Sequence, residues 1–160
     1  MLQQFFSPEN LEIFGQIALA TLLGALIGIE RKLARKTAGM RTFALVSSGA
    51  ATFSIISQLA FENFIGSSFD PSRIASQVVV GIGFIGAGSI LSSQNKVRGL
   101  TTAAGLWVSA AIGMAVAYKL YSIAIFATAI TVFILVFLWL FEHKLMKGMG
   151  SLAAQDVDED

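Results

Sequence analysis

The chain has 160 residues, of which 55% are hydrophobic and only 13% are charged, and its formal net charge is +1. A soluble domain carries about 25% charged residues, so this composition excludes a chain whose surface mostly faces water. The lack of cysteine excludes a disulfide framework, a thiolate metal site and a cysteine nucleophile.

Five long apolar segments follow one another along the chain, with charged residues confined to their ends. They are Leu11–Ile29, Thr42–Phe61, Ile74–Leu91, Leu100–Ala117 and Ile123–Phe141. Each approaches the ~20 helical residues that cross a hydrocarbon core of ~30 Å. A charge at the centre of such a helix costs about 2.5–3.5 kcal/mol on insertion scales, so the uncharged interiors favour a membrane. The sequence therefore predicts an all-α membrane domain of five transmembrane helices within residues 1–141.

Basic residues concentrate in alternate connections between these predicted spans. They occur in residues 31–41, at Lys96 and Arg98, and after the fifth span, whereas the other connections hold only Arg73 and Lys119. The positive-inside rule places the richer side in the cytoplasm. The N-terminus is then outside and the C-terminus cytoplasmic, and residues 142–160, which end in DVDED, are predicted to form a disordered acidic tail.

The third span contains the stretch VVVGIGFIGAGSIL, which permits two interpretations. Its G-x-G-x-x-G could open a dinucleotide-binding helix, but that fold needs an acidic residue ~20 positions later. Residues 71–141 contain no Asp or Glu, which argues against a nucleotide site. In a membrane helix, glycines let neighbouring backbones approach closely. Gly81 and Gly88 lie on one side of this helix and Gly83 and Gly86 on the other, so we expect a central helix packed against two neighbours.

Small residues also recur at helical spacing in the other spans, except in the fifth. The first span carries Gly24 and Gly28, and the fourth carries Gly105 and Gly113. The fifth span has no glycine and many bulky side chains, which predicts that it faces lipid at the edge of the domain. The surplus of small-residue faces predicts a homo-oligomer, such as a dimer, or a small membrane partner.

Glu30 is the acidic residue at the cytoplasmic end of the first span. An unpaired carboxylate near the membrane is costly, so Glu30 could pair with Arg41 or Arg98, which open the second and fourth spans. Alternatively, Glu30 and its neighbours extend to the interface and are solvated there.

The remaining polar groups of the spans are mostly amides and hydroxyls. These groups either line a small polar cavity or form hydrogen bonds between helices: Gln16, Gln58, Gln77, Thr101, Thr102 and Ser109. The chain lacks a phosphate-binding G-x-x-x-x-G-K-[ST] motif and has a single histidine. We therefore expect no enzymatic activity, no catalytic residues, no metal site, no cofactor and no nucleic-acid partner.

Three segments together resemble one bacterial family. They are GALIGIERKLARKTAGMRTFALVSSGAA, IASQVVVGIGFIGAGSIL and VRGLTTAAGLWVSAAIGMAVA, the last of which contains Trp107. These segments resemble the membrane domain of the MgtC/SapB family. The resemblance assigns motif positions to Glu30, Arg31, Arg41, Gln77, Arg98, Thr101, Thr102 and Trp107, and to the glycines at 24, 28, 81, 83, 86 and 88.

The resemblance also implies a function, and this chain differs from many family members in one respect. Family members are five-helix inner-membrane proteins linked to growth at low magnesium and to survival of pathogens inside host cells. Some are associated with inhibition of the F-type ATP synthase and with membrane potential, and an ion transporter or channel is the alternative. Many members continue into a soluble cytoplasmic domain, so this chain is predicted to be a short form that lacks it.

Overall fold

The computed structural model of the chain describes residues 6–60, 72–93, 96–141 and 144. Its elements in chain order are α1 (Pro8–Leu33), α2 (Met40–Leu59), α3 (Ser72–Gly88), β1 (Leu91–Ser93), β2 (Lys96–Arg98), α4 (Leu100–Ala117) and α5 (Tyr121–Phe133). A π-helical turn, Ile134–Leu138, continues α5 as one apolar helix to Phe141. The chain is therefore a helical membrane protein. The tail predicted at residues 142–160 lies outside the described residues apart from Lys144.

The first two helices form an antiparallel pair joined by a short basic turn. Ser7 caps α1 by accepting a hydrogen bond from the Asn10 amide at 3.3 Å, and Pro8 occupies the first turn, where its missing amide costs nothing. Arg35 ends the helix in a left-handed conformation with φ 55°. Its reversal lets α2 begin at Met40 and run back along α1.

Four of the helices are long and apolar enough to cross a membrane. These are α1, α2, α4 and the continuous helix Tyr121–Phe141. The third predicted span is shorter, since α3 has 17 residues and is about 25 Å long at 1.5 Å per residue. The count of five spans and the orientation of the termini remain predictions.

A small antiparallel hairpin follows α3, where the sequence predicts only helix and connection. Leu91 pairs with Arg98, Ser92 with Val97 and Ser93 with Lys96. Gly99 then reverses the chain into α4 with φ 94°, a conformation that L side chains rarely adopt. A Cβ at Gly99 would also collide with the Ser89 carbonyl oxygen. The glycine thus permits the tight connection between the hairpin and α4.

The centre of the domain is α4, which contacts α1, α2, α3 and α5. Its buried face includes Leu106, Ser109, Ile112 and Val116. Helix α5 lies at the edge, where it contacts α1 and α4 through one stripe that contains Ala124 and Thr128. Most bulky side chains of α5 are exposed, as a lipid-facing helix requires.

The central position predicted for the third span was wrong. Helix α3 touches α2 and α4 from one side only. A single narrow stripe of Ala75, Ile82 and Gly86 is buried, and most of the remaining surface is exposed. The physical reason is that the small residues of α1, α2 and α4 already fit against one another, which leaves α3 on the outside of that trio.

Candidate functional site

Glu30 and Arg31 form an ion pair at the end of α1. The Arg31 guanidinium donates to both carboxylate oxygens of Glu30, with a distance of 2.6 Å between Nη2 and Oε1. Arg31 is 3% exposed, and the Glu30 side chain is 14% exposed. The partners predicted for Glu30, Arg41 and Arg98, were therefore wrong. Pairing within one helix turn leaves a neutral unit at this end of the bundle.

The other predicted polar motif residues do not converge on this pair. Arg41 is exposed in the first turn of α2, and Arg98 is exposed at the end of β2. Thr101 is exposed in the first turn of α4, whereas Thr102 is 4% exposed. Trp107 is 51% exposed on α4. Apart from the buried Thr102, these residues are distributed over the surface of the domain, and together they form no single cluster.

Glycines bring the backbones of α1, α2 and α4 into close contact. A Cβ placed on Gly24 of α1 would lie 2.6 Å from the Phe43 carbonyl oxygen of α2. A Cβ on Gly113 of α4 would collide with the Ser47 carbonyl oxygen of α2. Gly28 faces Met40 at the α1–α2 turn, and Gly105 faces the Phe43 ring. We call the contact of Gly24, Phe43, Ser47 and Gly113 the glycine core.

Serine hydroxyls lie inside this three-helix contact. Ser109 donates to the Phe43 carbonyl oxygen at 3.0 Å, which ties α4 to α2. The Ser47 and Ser54 hydroxyls are fully buried and have no hydrogen-bond partner within the described part of the chain. Ser47 is not among the site residues predicted from the sequence. Its signal was present, because Ser47, Ala51 and Ser54 are small residues at the i, i+4, i+7 spacing of one helix face.

Two glutamines cap the far end of α4. The Gln16 side chain donates to the carbonyl oxygens of Val116 and Ala117 at 3.2 Å each, and Gln58 donates to Ala117 at 3.2 Å. The last carbonyls of a helix lack the amides of a following turn, so the glutamine amides supply donors there, and the Val116 carbonyl also accepts from the Lys119 backbone amide at 3.0 Å. Of the two roles open to Gln16 and Gln58, the structure places both side chains in bonds between helices.

An ion pair closes the same end of the bundle. Lys119 lies 2.6 Å from Glu12, and both side chains are half-exposed. The hydrogen bond and the charge of Glu12 raise the pKa of Lys119 above its ordinary value. The pair joins the start of α1 to the turn between α4 and α5, and places both at one surface of the bundle.

A groove separates α2 from the exposed side of α3. It encloses about 750 Å³, and both Arg41 and Gln77 line it. A second groove of about 360 Å³ lies between α3 and α4 beside Trp107. The predicted packing glycines of α3 differ in their surroundings. A Cβ placed on Gly86 would lie 3.6 Å from the Cβ of Ala103, whereas a Cβ placed on Gly81, Gly83 or Gly88 would project into open space.

The described residues offer packing surfaces and grooves. Nowhere in residues 6–60, 72–93 and 96–141 do three His, Cys, Asp or Glu side chains gather as a metal site would require. The buried guanidinium of Arg31 is neutralised by the partly exposed carboxylate of Glu30. What distinguishes the molecule is a closed trio of α1, α2 and α4 beside a loosely covered α3.

Comparison with known proteins places the chain in a family. Residues 17–144 match the model of the MgtC family. The chain is 42% identical over 127 residues to the putative magnesium transporter YhiD of Escherichia coli, an alignment that covers 78% of this chain and 59% of YhiD. It is 47% identical over 112 residues to protein MgtC of Brucella abortus, covering 70% of this chain and 45% of that protein.

A third relative has the same pattern of coverage. Protein MgtC of Salmonella typhimurium is 49% identical over 111 residues, which are 69% of this chain and 46% of that protein. The chain thus spans about half the length of the curated relatives it matches. No solved structure matches it. The three motif segments, the apolar helices and these similarities agree: the chain belongs to the MgtC family.

Proposed function

We infer that the chain is a non-enzymatic inner-membrane protein that helps a bacterium adapt to low magnesium. It acts by modulating a membrane partner, such as the F-type ATP synthase, or by changing the membrane potential. The names of the relatives, protein MgtC and putative magnesium transporter YhiD, support the link to magnesium. A role through a partner is supported by the exposed surface of α3.

One observation carries the proposal: α3 leaves a continuous and largely apolar face uncovered. Gln77, Val80, Phe84 and Gly88, which we call the outer face of α3, follow one another at spacings of three or four residues. Phe84 is 85% exposed and Val80 is 66% exposed, and no atom outside the helix lies near Gly88. A glycine beside a projecting aromatic ring suits a second helix, because a backbone can approach the glycine closely.

Complementation at low magnesium tests this role. In a bacterium that lacks its own copy, the wild-type chain should restore growth in low-magnesium medium and alter membrane potential measured with a voltage-sensitive dye. Phe84→Ala and Gly88→Leu should abolish both effects. These variants should also no longer copurify with any membrane protein that the wild type retains. Phe126→Ala is the matched control, because Phe126 is 70% exposed on α5. Equal growth of all variants would refute a role for the outer face of α3.

A second candidate function is transport of a small cation. It is favoured by the Ser47 and Ser54 hydroxyls, which are buried in α2 without partners in the described part of the chain and could contact an ion or water. Proteoliposomes loaded with a magnesium-sensitive or proton-sensitive dye would detect flux. Flux that falls in Ser47→Ala, Ser54→Ala and Glu30→Gln would favour transport. Absence of flux from a chain that still restores growth would favour action through a partner.

A further inference from the structure

The groove between α2 and α3 is lined mainly by apolar residues. Apart from Arg41, Thr42 and Gln77, every residue that lines it is apolar or glycine. Its walls are open to the side, since Leu45 is 71% exposed and Phe84 is 85% exposed. A surface of this chemistry within the membrane contacts hydrocarbon, so a chain-like apolar molecule suits it better than a polar solute.

The length of the groove matches one leaflet of a bilayer. Along α2, its lining extends from Arg41 to Phe53, which is about 18 Å at 1.5 Å per residue. A hydrocarbon core of ~30 Å gives each leaflet about 15 Å. An acyl chain that begins beside Arg41 would therefore lie along the groove to the depth of Phe53.

Two glycines give the groove its width. Gly49 of α2 and Gly81 of α3 both line it, and a Cβ at either position would meet nothing within 4 Å. Larger side chains here would project into the space between the helices. The width is thus a consequence of residue choice at two positions and can be removed by substitution.

Positive charge gathers at one mouth of the groove. Arg41 lines it and makes no ion pair with another described residue. The last turn of α1 adds the exposed side chain of Lys32, and the connection to α2 adds those of Arg35 and Lys36. No Asp or Glu occurs between Glu30 and Glu62, so nothing in this stretch of sequence offsets these charges. Basic groups beside a gap between membrane helices attract anionic headgroups.

We propose that the groove between α2 and α3 seats an anionic phospholipid, with an acyl chain between the helices and the phosphate at Arg41. The lipid fills the gap between α2 and the side of α3 that carries Gly81 and Ile85, and it leaves Val80 and Gly88 of the outer face of α3 uncovered. Binding does not depend on the function inferred above, because it requires only the groove and its charged mouth.

Native mass spectrometry of the full chain tests the proposal. The protein is released from nanodiscs that contain phosphatidylglycerol and phosphatidylcholine in equal amounts, and retained lipids are identified by mass. We expect one retained phosphatidylglycerol. Arg41→Gln should reduce the preference for phosphatidylglycerol about fivefold, equivalent to the ~1 kcal/mol that one basic residue contributes near an anionic surface. Arg41→Lys should keep most of the preference.

Filling the groove provides the second arm. Gly49→Leu and Gly81→Leu should lose the retained lipid, whereas Gly83→Leu should keep it, because Gly83 also faces open space but does not line the groove. A photoactivatable phosphatidylglycerol with the reactive group in its acyl chain should label the wild-type chain within α2 and α3, which removes any dependence on the folding of variants.

Three results would overturn the proposal. The first is equal retention of both lipids, and the second is retention that Gly49→Leu and Gly81→Leu leave unchanged. The third is a dimer that carries no lipid and is disrupted by Gly81→Leu, which would assign the groove to a second copy of the chain.

Discussion

At the scale of single residues, the glycine core makes the sharpest prediction. Gly113→Ala places a Cβ against the Ser47 carbonyl, and the obstructing atoms belong to backbone that cannot rotate away. Overpacking of this kind costs about 1–3 kcal/mol. The variant should therefore unfold at a lower temperature in detergent, monitored by tryptophan fluorescence.

Gly88→Ala is the matched control for this substitution. Its Cβ meets nothing within 4 Å, so helix propensity alone should hold or slightly raise the unfolding temperature. If Gly113→Ala and Gly88→Ala unfolded at the same temperature, the close contact of α4 with α2 would be wrong.

The Glu30–Arg31 pair makes a second residue-scale prediction. Glu30→Gln leaves the guanidinium of Arg31, 3% exposed, without its counter-charge. Removing one partner of a fully buried pair costs about 3–5 kcal/mol, and the partial exposure of Glu30 reduces this to about 1–3 kcal/mol. The unfolding temperature should fall, and the double variant Glu30→Gln/Arg31→Gln should recover part of the loss.

An exposed pair supplies the comparison for that measurement. Glu12→Gln breaks the contact with Lys119, where both side chains are half-exposed, and should change the unfolding temperature little. The opposite ranking, with Glu12→Gln the more damaging, would contradict the burial of the Glu30–Arg31 pair.

The partner of Glu30 could not be predicted from sequence for a geometric reason. Neighbouring residues on a helix point about 100° apart, so an ion pair is normally sought three or four residues away or on another helix. Near the end of α1, long side chains bend toward each other, which no spacing rule anticipates. By contrast, the i, i+4 pattern of Gly24 and Gly28 correctly indicated a face that other backbones approach.

At the scale of elements, the hairpin after α3 yields a register prediction. Ser92 and Val97 are direct partners, so Ser92→Cys/Val97→Cys should form an intramolecular disulfide under mild oxidation. The chain has no cysteine of its own, so the background is zero. The product is detected by its mass or by altered migration on a non-reducing gel.

The control for the register is a pair of cysteines in the same hairpin at positions that are not direct partners. Leu91 pairs with Arg98, and adjacent residues of a strand point to opposite faces. Leu91→Cys/Val97→Cys should therefore crosslink poorly. Efficient crosslinking of this pair, with none at Ser92/Val97, would show a hairpin shifted by one residue.

The length of an element decided whether it could be predicted from the sequence. Spans of about 20 apolar residues have a strong hydropathy signal, and four helices of that kind are found. Two strands of three residues are too short to show alternation, so the hairpin was missed. The place of α3 was missed because glycine permits a close neighbour without requiring one: Gly81, Gly83 and Gly88 are small but unoccupied.

At the scale of the whole molecule, two ends of the bundle can be distinguished. One end holds the Glu12–Lys119 pair and the glutamines that cap α4. The other holds the Glu30–Arg31 pair, the basic turn before α2 and the hairpin before α4. Most of the basic residues lie at this second end, which the positive-inside rule assigns to the cytoplasm. The structure supplies the two ends, and the charge distribution supplies their predicted orientation.

Cysteine accessibility tests this orientation on intact cells. Lys119→Cys and Lys36→Cys each introduce the single thiol of the chain at an exposed turn, one at each end. A membrane-impermeant maleimide that reaches the periplasm should label Lys119→Cys directly and Lys36→Cys only after the inner membrane is permeabilised. The reverse labelling pattern would mean that the protein has the opposite orientation in the membrane. Labelling of both positions in intact cells would mean that α1 does not cross the membrane, because α1 joins the two ends.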